Sequence, residues 1–149
     1  MNAIPPNARL LGFAGLFPQI GCALAVWFGP EEWRWTAIAM GWAYAALIFS
    51  FLGGMWWGLA ASAPDEGRRA PQWIWLAAVT PSLVALLTYL PWVIGETWPG
   101  PSLIVLGLGI LVSPLVDLRL VTIRPVWWIS LRVPLSVGLG LATLALALG

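Results

Sequence analysis

The sequence predicts an all-α fold, an integral membrane bundle of five transmembrane helices, and three observations lead there. Five apolar stretches, about Leu10–Phe28, Thr36–Ala61, Trp73–Ile94, Leu103–Leu120 and Trp127–Leu148, take up nearly all of the 149 residues. Each can cross a hydrocarbon core of about 30 Å, which needs about 20 helical residues at 1.5 Å rise. Hydrophobic residues make up 60% of the chain and charged residues 9%, where an average soluble domain is about 25% charged. The short connectors hold most of the Pro, Gly and charge. A single transmembrane domain over residues 1–149 is the expected organisation, with the lipid bilayer as its solvent.

The first stretch follows Met1–Arg9, which carries one basic residue. Its apolar run is long for a secretory signal, so it reads as a retained first helix. Gly29-Pro30-Glu31-Glu32 stops that helix, and the two carboxylates suit the positive N-terminus of the second. Ala63–Pro71 is the most polar connector and belongs in water. Gly95–Pro101, rich in helix breakers, is a compact turn before the fourth stretch. The segment from Arg119 to Arg124, followed by Pro125, closes the fourth helix and admits the fifth. In lipid every backbone N–H needs a partner within its own segment, so stretches this long form helices. A β-barrel would show alternating segments of about 10 residues, and these do not alternate. Pro18, Pro81 and Pro134 are expected to kink their helices, and Pro114 to bend the fourth.

Orientation follows from the arginines. Arg9, Arg68, Arg69, Arg119 and Arg124 fall on the N-terminal side of the bundle, and Arg34 on the other beside two Glu. Positive residues stay cytoplasmic, which predicts a multi-pass protein with its N-terminus in the cytoplasm and its C-terminus in the periplasm, or on the equivalent faces in an organelle. Nine of the twelve Trp residues (Trp27, Trp33, Trp35, Trp73, Trp75, Trp92, Trp98, Trp127 and Trp128) lie near helix ends. There an indole sits at the lipid–water boundary, apolar on its faces and donating one hydrogen bond.

Composition narrows the chemistry. The chain has no His, which removes the commonest proton shuttle, metal ligand and haem ligand. No metal site and no cofactor are expected. The lone Cys22 sits inside the first stretch as a small apolar residue. A net charge of +1 offers no basic surface to nucleic acid. The pattern contains no nucleophile with a base, no phosphate loop and no paired intramembrane carboxylates, so an enzyme is not expected.

Two groups of residues remain as candidates. Ser50-Phe51-Leu52-Gly53-Gly54-Met55-Trp56-Trp57-Gly58 contains a Gly54–Gly58 pair one turn apart with Gly53 alongside. Absent side chains allow another backbone to approach closely. The segment is expected to be either a helix-packing notch or an apolar cleft for a flat ligand or lipid tail, with Tyr44, Ser50, Trp42, Trp56 and Trp57 about it. Asp117 is the one carboxylate placed inside a membrane-crossing stretch. An unpaired carboxylate at mid-membrane costs about 2.5–3.5 kcal/mol even on lenient scales. Arg132 in the fifth helix is its expected partner in a buried ion pair, with Arg119 or Arg124 as a second.

Several of these residues carry a resemblance. Leu11-Gly12-Phe13-Ala14-Gly15-Leu16-Phe17-Pro18 forms one motif; Tyr44, Ser50-Phe51-Leu52-Gly53-Gly54 and Trp57-Gly58 form another. Pro81-Ser82-Leu83, Asp117, Trp128 and Leu131-Arg132 follow in order. Together they resemble domain-of-unknown-function family 3429, whose members are bacterial inner-membrane proteins and mitochondrial transmembrane relatives. Gln19 stands where that pattern has an aromatic residue after the proline. The resemblance implies a five-helix protein of energy-transducing membranes. On these grounds the expected function is a non-catalytic accessory or assembly partner of a larger membrane complex, in contact with other membrane proteins. The alternative is a binder or carrier of an apolar small molecule such as a lipid, quinone or tetrapyrrole.

Overall fold

Proline decides where these helices start and where they break. In a computed structural model the described residues are 3–63, 70–96 and 99–149. Arg68 and Arg69 of the polar connector, and Thr97 and Trp98 of the later turn, lie outside them. The described elements are helices: α1 (Pro6–Ala14), α2 (Phe17–Phe28), α3 (Glu31–Ala61), α4 (Trp73–Leu87), α5 (Leu90–Val93), α6 (Gly100–Val112), α7 (Pro114–Arg119) and α8 (Trp128–Leu148). They combine into five spans long and apolar enough to cross a membrane, Pro6–Phe28, Glu31–Ala61, Trp73–Val93, Gly100–Arg119 and Trp128–Leu148.

Two spans begin earlier than the hydropathy alone implies. The first starts at Pro6, because proline's fixed φ suits the first helical turn and its missing N–H is not needed there. The second starts at Glu31, where Glu31 and Glu32 sit in the first turn against the helix dipole.

Within the spans, three breaks fall just before Pro18, Pro91 and Pro114, each at the first or second position of the helix that follows. Pro81 and Pro134, expected to kink their helices, lie inside α4 and α8 as continuous helices. At each break, side chains pick up carbonyls that the backbone ladder has dropped. The Tyr44 hydroxyl donates to the Gly15 carbonyl at 2.6 Å in the α1–α2 break. Ser102 donates to the Thr88 carbonyl at 2.8 Å, bridging α6 to the α4–α5 break. Pro114 cannot bond the Ile110 carbonyl one turn back, which accepts the Ser113 hydroxyl at 2.7 Å and the Ser113 N–H at 3.3 Å instead.

Packing follows the membrane rule of close backbones rather than a hydrophobic drive between helices. Gly107 of α6 and Gly140 of α8 face each other, a built Cβ on either lying about 3.1–3.2 Å from the other's carbonyl oxygen. Along the bundle the core runs from Val26, Ile38, Leu103 and Leu146, through Phe49, Leu106, Ile110 and Leu139, to Trp56, Ile74 and Leu120. Large apolar side chains such as Leu47, Phe51, Leu76 and Leu141 are exposed on the outside, where lipid tails would cover them. Gln19 is fully buried, and its amide donates to Thr143 Oγ1 at 2.9 Å, a polar bridge from α2 to α8. At the opposite end from Asp117, Trp27 donates to the Ala145 carbonyl at 2.9 Å and Arg34 donates to that of Gly149.

Candidate functional site

The Pro114 break creates the polar centre of the molecule. It turns Ser113 inward, and one helical turn later Asp117 points to the same place, where it is completely buried. Arg132, one turn into α8, meets it: Nε donates to Asp117 Oδ2 at 3.1 Å, and Nη2 donates to Ser113 Oγ at 3.2 Å. Ser136, one turn further along α8, lies 3.3 Å from the same Ser113 oxygen. Because Ser113 has spent its proton on Ile110, Ser136 is the donor of that pair.

The second partner of Asp117 is not an arginine. Trp56 of α3 and Trp128 of α8 both donate their indole N–H to Oδ1, at 3.0 Å and 2.8 Å. Arg119 is exposed, and the buried Nε of Arg124 has no partner among the described residues. Two indoles therefore replace the expected Arg119 or Arg124. An indole satisfies a carboxylate lone pair without bringing a further charge out of water, which a second guanidinium would require. The sequence reading placed Trp128 in the interfacial belt and Trp56 in a cleft. For Trp128 a signal was present, a helix-end indole 11 residues from a carboxylate that lacks enough donors; for Trp56, 61 residues away, there was none.

The expected glycine notch is only partly there. A Cβ on Gly53 would lie 2.1 Å from the Ala78 carbonyl oxygen of α4, so Gly53 is where α3 and α4 cross. Gly54 and Gly58 have nothing within 4 Å and are exposed. Gly54 and Gly58 share the outward face of α3 with Leu47 and Phe51, whereas Gly53 shares the inward face with Phe49, Trp56 and Ala60. The remaining candidates also disperse. Ser50 and Ser82 share a hydrogen bond of 2.8 Å between α3 and α4, and Trp57 meets Trp75 edge-on with ring centroids 4.8 Å apart. Trp42 is stacked between Tyr89 and Trp92 at 5.5 Å and 5.3 Å, filling its own surroundings. The expected cleft of Trp42, Tyr44, Trp56 and Trp57 is therefore not formed.

A cleft exists elsewhere. The break at Gly15 and Leu16 lets α2 pack between α3 and α8, while α1 touches mainly α8 and buries none of its own residues. Under α1 this leaves a groove of about 360 Å³. Its walls are Leu11, Gly12 and Leu16 from span one, Ile48, Phe51 and Met55 from α3, and Leu131 and Leu135 from α8. Trp127, Trp128 and Arg132 stand in the wall as well, so the groove adjoins the Asp117 network directly.

Five helical spans around a buried carboxylate–guanidinium pair with indole donors define a multi-pass helical membrane protein. The chain belongs to the family described as Protein of unknown function (DUF3429), whose model matches residues 4–148. It is 35% identical over 134 residues to Transmembrane protein 69 of Xenopus tropicalis, an alignment covering 89% of this chain and 50% of that protein. The chain thus spans about half the length of that relative. No solved structure matches it.

Proposed function

We propose that the protein is a non-catalytic membrane component that holds an apolar ligand in the groove between α1, α3 and α8. The observation that carries this reading is the groove itself, about 360 Å³ of mostly apolar wall ending at one buried arginine. Sites for small ligands have this form, concave and apolar with few polar groups, and begin at about 300 Å³. Lipid, quinone and tetrapyrrole are the classes such walls accept. Binding rather than catalysis is favoured by the surroundings of Asp117, whose two oxygens already accept three N–H donors from the chain itself.

The test is purification in mild detergent followed by mass spectrometry of the extracted small molecules. A stoichiometric apolar molecule is expected with the wild type, and its loss with Met55→Trp, which fills the groove from the α3 wall while leaving Asp117 and Arg132 in place. Equal recovery from both proteins would place the ligand elsewhere.

A second reading, an accessory or assembly partner of a larger complex, draws on the open strip at Gly54 and Gly58, where a helix of another membrane protein could lie close. A stoichiometric protein in the same preparation, lost with Gly54→Leu, would support that reading over the first.

For a protein of an inner membrane, the arginine distribution favours an orientation with the N-terminus and the Ala63–Pro71 connector in the cytoplasm. Single Cys residues in that connector and in Gly95–Pro101, on a Cys22→Ala background, allow labelling with an impermeant thiol reagent. The Gly95–Pro101 site should label from the periplasmic side and the other should not; the reverse pattern would invert the orientation.

A further inference from the structure

Arg132 is only partly used by the network that holds it. A guanidinium carries five N–H donors in a planar fork. Nε goes to Asp117 and one N–H of Nη2 to Ser113, and the rest of the fork has no hydrogen bond among the described residues. Arg132 is 6% exposed and forms part of the groove wall. Two of the neighbouring polar groups are committed elsewhere. The Ser136 proton goes to Ser113, and the Trp128 N–H goes to Asp117. What this end of the groove presents is therefore the free edge of Arg132 beside two indole rings, Trp127 and Trp128, whose centroids are 5.8 Å apart.

Charge narrows the occupant further. Asp117 lies directly behind Arg132 at 3.1 Å and neutralises it. An anionic headgroup would gain from the guanidinium and lose to the carboxylate, after giving up its own hydration. A neutral oxygen acceptor gains the hydrogen bond without that loss. A flat ring also suits indole walls better than a branched ester does.

Resting on the groove reading above, we propose that the ligand is a neutral amphiphile with a carbonyl-bearing ring. This is a quinone-type head bonded through its oxygen to the free edge of Arg132, with an alkyl or isoprenoid tail along the apolar wall. Nothing is transferred in this step; a hydrogen bond forms from a guanidinium N–H to a ring carbonyl.

The test uses the full chain in phosphatidylcholine nanodiscs with two probes, decylubiquinone and phenyldecane, which has a similar tail but no carbonyl. Decylubiquinone should bind about tenfold more tightly, the factor that about 1.4 kcal/mol makes. Arg132→Lys, which keeps the charge for Asp117 but shortens and replaces the fork, should abolish that preference and leave phenyldecane binding unchanged. Should this variant fail to fold, the wild type decides: the infrared carbonyl band of bound decylubiquinone is expected at lower frequency than in protein-free bilayers. An unshifted band would overturn the proposal. So would displacement of the quinone by dioleoylphosphatidate, which would make Arg132 an anion site, or by dioleoylglycerol with equal affinity, which would remove the need for a ring. Equal binding of both probes sinks the headgroup assignment but leaves an apolar groove. Binding of neither sinks the groove reading with it.

Discussion

Asp117→Asn will destabilise the bundle by about 3–5 kcal/mol, the cost of breaking a buried ion pair from one side. The reason goes beyond lost charge. Every group facing Asp117 is a donor: the indoles of Trp56 and Trp128 at Oδ1 and Arg132 Nε at Oδ2. Asparagine offers one oxygen and one NH₂, and in either orientation the NH₂ meets an N–H with no acceptor between them. Arg132 is then left buried without its counter-ion. Thermal unfolding in detergent, followed by tryptophan fluorescence or size exclusion, measures the loss. Exchanging the charges, Asp117→Arg with Arg132→Asp, should recover little, because the two indoles would then point at a guanidinium. Full recovery would mean that the indoles do not hold the carboxylate. Trp56→Phe and Trp128→Phe should each cost less than Asp117→Asn, since each leaves the carboxylate two of its three donors.

The second large effect belongs to the α3–α4 crossing. Gly53→Leu places its Cβ 2.1 Å from the Ala78 carbonyl oxygen, a backbone atom that cannot rotate aside. The two helices must part, and overpacking of this kind typically costs about 1–3 kcal/mol, with more where backbone must move. Parting them also strains the Ser50–Ser82 hydrogen bond nearby. Gly54→Leu, one residue later, meets nothing within 4 Å and should leave detergent stability unchanged. The contrast between neighbours is the measurement. Equal destabilisation by both would show that the outward face of α3 is covered.

These contrasts mark what could be read in the residues and what could not. Span number and polarity were legible because the bilayer sets a length and forbids unpaired backbone, so long apolar runs between Pro-, Gly- and charge-rich connectors admit few alternatives. Asp117 was legible as a problem for the same reason, and Arg132 as its nearest remedy in an adjoining helix. Pro18, Pro81, Pro114 and Pro134 were legible as interruptions and Pro91 was not singled out, and nothing in the sequence told which of them break a helix. Pro18, Pro91 and Pro114 coincide with side chains that take over a carbonyl at the break; Ser113 is local to its own, whereas Tyr44 and Ser102 are known as partners only once helices are placed side by side.

The rotation of each helix about its axis was not legible. A soluble helix shows its buried face by a polar opposite face, whereas α3 is apolar all round, so Gly53 and Gly54 looked alike. Only packing separated them, turning Gly53 onto Ala78 and Gly54 outward, and aiming Trp56 at Asp117 rather than at a cleft. The groove beneath α1 is likewise a tertiary fact. It exists because span one bends at Gly15 and Leu16, leaving α2 wedged between α3 and α8 and α1 lying over the arginine that Asp117 holds in place.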